Sequence, residues 1–301
     1  MPSTVKNAPS DVKTYHLTAF YLLVEPASPI SKEQLESWKE QLDSLKAIHP
    51  ELCGTFILAP DGINVNVGGW QSTVEVVEGW VEEHIARAFQ GKIVGGCSQA
   101  EGTQGPVYFK RSVFDPAKSQ AAQPFLRWKV QIRRETITSG VMGSAEPNLA
   151  KSTHLTPTQW NEKIEQLGER AVLLDTRNDY EYAVGTFRGA LNPNTRNFTD
   201  LIDYVDKLEV DKEAEILAFC TGGIRCEKAV PYLKSLGYKN VYQLEGGILG
   251  YLEHYPNGYF EGDCFVFDQR VAVDGNLQPS GRYLRCERCG QPYIVGSSCC
   301  N

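Results

Sequence analysis

The run Cys220-Thr221-Gly222-Gly223-Ile224-Arg225-Cys226 puts a thiol directly after an apolar stretch, EILAF, with two glycines and a guanidinium behind it. Glycines let successive backbone N–H groups turn toward one point without Cβ clashes. Such a cradle at the start of a helix holds an anion. A cysteine placed there is stabilised as the thiolate, which is the nucleophilic form of sulfur. The pattern predicts Cys220 as a nucleophile, with Thr221, Gly222, Gly223, Ile224 and Arg225 as its loop. Cys226 fits two roles. One is a resolving thiol. The other is a small buried apolar group, since free cysteine packs well.

Nine cysteines are present in all, an odd number that rules out complete intramolecular pairing. Cys53 and Cys97 stand alone and read as packing residues. Cys286-x-x-Cys289 is half of a zinc site, and tetrahedral zinc needs four ligands. Cys299 and Cys300 are adjacent, an uncomfortable arrangement for two ligands of one ion, so Cys264 is a further candidate ligand. Structural zinc, reduced packing cysteines and redox chemistry all stay open for this tail. The five histidines are scattered and read as structural.

A second feature is charge. Between 107 and 134 there are seven Lys/Arg and one acid, in a chain whose formal net charge is -7. Leu126, Trp128, Val130 and Ile132 alternate with Arg127, Lys129, Gln131 and Arg133. Period 2 puts the three basic side chains on one face of a strand. Lys110, Arg111, Lys118 and Arg134 lie nearby in sequence. A solvated strand face fits this pattern, and so does a surface that contacts phosphates.

The elements that must position these groups fall into two halves. Residues 14–24 read as a buried strand closed by Pro26 and Pro29. Ser31 and Gln34 form a capping-box pattern, and Leu35, Trp38, Leu42 and Leu45 share one helical face. The Asp61-Gly62 turn predicts a hairpin. Val74, Val77, Val81, Ile85 and Ala88 predict a second helix ended by Gly91. Strands are expected near 107–114 and 126–133. The order β-α-β-β-α-β with one further strand predicts an α+β, ferredoxin-like (acylphosphatase-like) domain over 1–138, its first 13 or so residues flexible. Residues 139–152 read as a linker.

Thr156 and Pro157 start a helix. Apolar strands at 171–174, 215–219 and 241–244 then alternate with helices, which predicts an α/β parallel-sheet domain over 153–258. Ligands in such sheets bind beyond the carboxyl ends of the strands, where Asp175 and Cys220 both fall. Residues 259–301 form a Cys-rich C-terminal extension. Pro231 sits inside the helix expected after Cys220, which should bend or stop there.

With 42% hydrophobic and 22% charged residues the chain is neither disordered nor membrane-spanning in composition. The opening MPSTVKNAPSDVK lacks an apolar core and arginine, so neither a secretory nor a transit signal is expected. A cytoplasmic protein with reduced thiols follows as the expectation.

The loop Cys220–Arg225, Asp175-Thr-Arg177, the segment 185–190 and 244–247 resemble the rhodanese superfamily. CTGGIRCEKA, LDTRNDYEYAVGTFRGALNPNTR, VYQLEGGILGYLE, GDCFVFDQRVAVD, GTFILAPDGINVNVGG and LRWKVQIRRETITSG resemble, more narrowly, the TrhO family of tRNA uridine hydroxylases. That resemblance spans nearly the whole chain. It implies a rhodanese-like domain behind a ferredoxin-like one, and oxygen-dependent hydroxylation of the wobble uridine of tRNA to 5-hydroxyuridine. It makes Cys220 the essential residue, with Cys226, Asp175 and Arg177 as possible accessories. tRNA is the implied partner, molecular oxygen the co-substrate, and no organic cofactor is implied. Lys110, Arg111, Arg127, Lys129, Arg133 and Arg134 become the expected RNA contacts. The alternative for the same loop is a sulfurtransferase that carries a persulfide on Cys220.

Overall fold

A computed structural model describes residues 14–96, 107–115, 123–140 and 153–300. Cys97, Lys118 and most of the expected linker lie outside the described residues. The first half builds one sheet with two helices against it. β1 (Tyr15–Val24) is followed by α1 (Lys32–Ile48), β2 (Cys53–Ala59) and β3 (Gly62–Gly69). Next come α2 (Gln71–Val81), which runs on into a π-helical turn, β4 (Ile93–Gly96), β5 (Lys110–Phe114) and β6 (Trp128–Ile132).

The helices form where the apolar spacing demands. Leu35, Trp38 and Leu42 are the buried positions of α1, and the Ser31 side chain caps it by accepting the Gln34 N–H at 3.2 Å. The strand order is β4-β1-β3-β2-β6, with β5 also paired to β1. β3 pairs antiparallel with β1 on one side and β2 on the other, whereas β6 runs parallel to β2. β4 and β5 share one edge of β1, pairing with its end and its beginning respectively. Ile93–Gly96 was not expected as a strand: four residues ending in Gly95-Gly96 carry no alternation signal. Phe20, Leu22, Phe56, Val65, Trp38 and Val81 fill the core between this sheet and its helices. The opposite sheet face is left to the other half of the molecule.

That other half is a parallel sheet. It contains β7 (His154–Leu155), α3 (Pro157–Leu167), β8 (Val172–Asp175), α4 (Asp179–Tyr182), β9 (Gly185–Phe187) and α5 (Leu201–Val205). β10 (Glu215–Phe219), α6 (Cys226–Ser235), β11 (Asn240–Leu244) and α7 (Gly247–His254) complete it. The strand order is β7-β11-β10-β8, all parallel. Thr156 and Gln159 form a reciprocal capping box on α3, with Pro157 at the first helical position. One core lies around Trp160, Phe187, Phe219 and Tyr251, and another around Leu201, Ile216, Val230 and Tyr238 on the opposite face. α6 runs through Pro231 without ending there. A helix-interior proline costs roughly 3 kcal/mol, and burial of Ala229, Val230, Pro231 and Leu233 offsets it.

β12 (Phe260–Gly262) then returns to pair antiparallel with β9, and two short hairpins follow: β13 (Cys264–Phe265) on β14 (Ala272–Val273), and β15 (Tyr283–Arg285) on β16 (Pro292–Ile294).

Candidate active site

Cys220 leaves the end of β10, an interior strand of the parallel sheet, and is 1% exposed. The N–H of Gly223 donates to its sulfur at 3.1 Å. Gly223 has φ +101°, where an L side chain is strained, and a Cβ there would lie 2.9 Å from the Tyr21 hydroxyl. The loop is fixed from behind by α7. The N–H groups of Ile248 and Leu249 donate to the carbonyls of Cys220 and Thr221, at 2.9 and 3.1 Å. Gly247 permits this approach. A Cβ there would lie 2.6 Å from both of those carbonyl oxygens. The Glu-Gly-Gly segment is therefore a floor for the loop.

Burial works against ionising Cys220. The Cys226 thiol, the Arg225 guanidinium and the N–H groups of Arg225 and Gly223 outweigh it and bring the Cys220 thiol down to about 6. Cys226 moves the other way. It is fully buried, and its thiol is pushed well up by that burial and by its neighbour's negative charge. The pair is thus divided between one thiol made acidic and one held neutral. Cys226 packs among Leu174, Ala218 and Val230, with the Thr176 hydroxyl 3.5 Å from its sulfur.

Arg225 is held by Glu181, a residue the sequence reading passed over. Its two terminal nitrogens donate to the two carboxylate oxygens at 2.6 and 2.7 Å. The Thr221 hydroxyl donates to the same carboxylate at 3.3 Å. Burial opposes the charge on Glu181, but Arg225 holds its carboxyl below the usual range. The available signal was an acid three residues after Asn178, the reciprocal cap that fixes α4.

Asp175 and Arg177 are committed to each other. Both are fully buried and paired bidentately with each other, and Arg177 also donates to the Gly185 carbonyl at 2.6 Å. Thr186 completes the Asp175 shell at 2.9 Å. They brace β8 against β9, so their part in the site is architectural.

In front of the loop lies a cleft of about 2540 Å³ lined by both halves of the molecule and by the tail. Its far wall is the outer face of the first sheet. Lys110, Ala19, Asn66, Thr55 and Lys129 fall in one register row across five strands. Asn64, Asn66, Thr55 and Arg133 line the cleft. Arg127 and Arg133 flank β6 and continue its pairing with β2, and they are exposed together with Lys129 and Arg134. Lys110 also pairs with Glu253 on α7 at 3.4 Å. Arg111 is the exception among the expected RNA contacts. One residue on in β5, its side chain turns toward the helices, where it pairs bidentately with buried Glu78 at 2.6–3.0 Å. Its charge is already committed.

The tail closes one end of the cleft. Cys286, Cys289, Cys299 and Cys300 converge, with all four sulfurs within 4.8 Å of one another. The separations include 3.8 Å for Cys286–Cys300 and 3.4 Å for Cys289–Cys299. Four thiolates around zinc, each about 2.3 Å from it, stand about 3.8 Å apart. Adjacent Cys299 and Cys300 thus both reach the cluster, contrary to expectation. Cys264 does not. It is buried in β13, where burial pushes its thiol up to about 12. Among the described residues no helix is long and apolar enough to cross a membrane.

A thiolate in a backbone loop at the end of a parallel strand defines the class. Residues 156–254 match the rhodanese-like domain family. A solved rhodanese-like domain from Anabaena is 24% identical, covers 36% of this chain and 79% of its own, and gives a TM-score of 0.32. Whole-length relatives narrow the class. A protein of Bdellovibrio bacteriovorus named tRNA uridine(34) hydroxylase is 39% identical over 96% of this chain and 74% of its own length. Proteins of the same name from a Picosynechococcus strain and from Teredinibacter turnerae are 37% and 38% identical. These cover 83% and 93% of this chain, and 79% and 82% of their own lengths. The chain belongs to the tRNA uridine(34) hydroxylase family.

Proposed function

We infer that this protein is an enzyme that hydroxylates uridine 34 of tRNA to 5-hydroxyuridine, with Cys220 as the reacting group. The observation that carries the chemistry is a buried thiol brought down to about 6 at the head of a cleft large enough for several nucleotides. Uracil becomes reactive at C5 when a nucleophile adds to C6. Cys220 thiolate adds there, and the negative charge passes through C5 onto the O4 enolate. Molecular oxygen, the co-substrate we assign, is first reduced to hydrogen peroxide by two electrons and two protons from an external donor. C5 attacks one peroxide oxygen and the O–O bond breaks. C5 keeps the hydroxyl, and the other oxygen leaves as hydroxide, which takes up the C5 proton as water. Departure of the sulfur from C6 and loss of the C5 proton restore the ring. N–H groups of the loop are placed to stabilise the developing charge.

The strand order β4-β1-β3-β2, built from two interleaved β-α-β units, supports a ferredoxin-like assignment for the first half. That half serves as the RNA-facing wall. Asn64, Asn66 and Thr55 offer hydrogen bonds, and Arg127, Lys129, Arg133 and Arg134 offer phosphate contacts. We assign structural zinc to Cys286, Cys289, Cys299 and Cys300, on the strength of their sulfur spacing. A cytoplasmic location follows from the substrate.

Nucleoside analysis of tRNA from cells with and without this protein tests the reaction. Loss of 5-hydroxyuridine is expected on deletion, and its return with the wild-type chain but not with Cys220→Ser. Mass spectrometry of the enzyme mixed with tRNA should show a Cys220–uridine adduct. A sulfur mass on Cys220 with no adduct would make the protein a persulfide carrier instead.

A further inference from the structure

Phe267 is 59% exposed although its neighbours Val266 and Asp268 are buried. Among the described residues it is the exposed large aromatic, and it lines the cleft in front of Cys220. Its ring meets Phe265 edge-on, with centroids 5.1 Å apart, and the Arg225 guanidinium lies 5.9 Å from its centroid. The ring therefore stands beside the cation that flanks the reactive sulfur.

The turn that carries Phe267 is built to keep it there. Val266 and Val271 close the turn by a backbone bond of 2.9 Å. Asp268 grips Arg270 bidentately, with contacts of 2.6–3.1 Å. The N–H of Gln269 donates to the Pro124 carbonyl of the other half at 2.9 Å. Val271, β-branched and buried, has φ +63°. A β-branched residue in that region is strained, and such strain persists where the surrounding structure over-determines it.

We propose that Phe267 is a stacking platform for an unpaired nucleobase of the substrate anticodon loop. This rests on the hydroxylase reading and adds the group that grips the RNA beside the sulfur. Single-stranded RNA is recognised by splaying its bases onto aromatic faces and arginine planes. The ring offers the first, held beside the buried Arg225–Glu181 pair. A platform on a rigid turn loses little freedom on binding.

The test compares Phe267→Ala, Phe267→Leu and Phe267→Tyr in the full-length protein. The probe is an unmodified tRNA that the wild type converts to 5-hydroxyuridine. Loss of one base stack corresponds to about a 5- to 150-fold weaker Kd. That loss is expected for Ala and equally for Leu, which keeps apolar cover but has no ring. Tyr should bind within about twofold of wild type, a difference of roughly the precision at which such contacts add. Thermal midpoints separate binding from folding. If Leu binds as well as wild type, or if Ala and Leu lose affinity only in step with stability, the platform is wrong. If the wild type itself neither binds nor modifies tRNA, the functional reading fails instead.

Discussion

At the scale of single residues, the site works through a division of labour between two thiols six positions apart. Site-resolved alkylation by iodoacetamide should show Cys220 reactivity rising with pH to a midpoint of about 6, because only the thiolate reacts. Cys226→Ala removes a donor to that thiolate and should move the midpoint up. Peptide mass spectrometry is the right readout, since eight other cysteines are present. Arg225 and Glu181 form a second unit. Arg225→Ala strands a buried carboxylate, and breaking such a pair costs about 3–5 kcal/mol. Removing Glu181 as well should return much of the stability in denaturant titrations. It should not return activity, because the charge beside the sulfur is gone. Full activity in that double variant would refute the role given to Arg225.

At the scale of elements, the loop depends on the turn before α7 as much as on its own glycines. Gly247→Ala would push a Cβ to 2.6–2.7 Å from three backbone atoms of the loop at φ +63°. Turnover should fall by about two orders of magnitude, as it does when reacting groups are misplaced by about 1 Å. Circular dichroism should show the fold retained. The strand–Cys–glycine–helix order was legible in the sequence because every part of it is local. So were the hairpin, the amphipathic helices and the alternation of β6, each of which has a short-range signal. What was not legible lies between elements. Glu181 meets Arg225 across 44 positions, and Tyr21 reaches Glu227 across 206. Pairings of that kind leave no periodicity to read. Arg111 lines the cleft, and its pairing with Glu78 on α2 is again a contact between elements. Cys264 was grouped with the tail by proximity in sequence, whereas its hairpin turns it into the core.

At the scale of the whole molecule, the two halves are joined by buried polar contacts as well as by chain. Tyr21 donates to Glu227 at 2.9 Å, and His154 meets the same carboxylate at 3.1 Å. Burial alone would lower the His154 pKa, but the bond and charge of Glu227 raise it above 6.5. A raised folded-state value means this contribution is complete below pH 6.5 and is lost as pH climbs through the folded value. The Cys220 thiol, brought down to about 6, adds stability as pH rises over the same range in every variant. The His154 contribution is therefore read as a difference: the thermal-midpoint advantage of wild type over Glu227→Gln should shrink from pH 6 to 8. The charged wall predicts a salt effect. Reversing Arg127, Lys129 and Arg133 to glutamate should weaken tRNA binding. It should also cut the slope of log affinity against log salt by about 2, taking roughly 0.7 per single-strand phosphate contact. Chelation should release one zinc per chain and destabilise the β15–β16 hairpin, read as a fall in thermal midpoint and faster proteolysis there. A protein carrying no zinc as purified from zinc-replete medium would contradict that assignment.

The first turn of α6 serves both halves of the molecule. Cys226 begins it beneath the sulfur. Glu227 and Lys228, the next two residues, are anchored in the other half, through Tyr21 and through Asp61 at 2.8 Å. One turn of helix is thus both the mounting of the nucleophile and the hinge pin between halves. Substitutions at Tyr21 or Asp61, far from the sulfur in sequence, therefore bear on the seat of the sulfur itself.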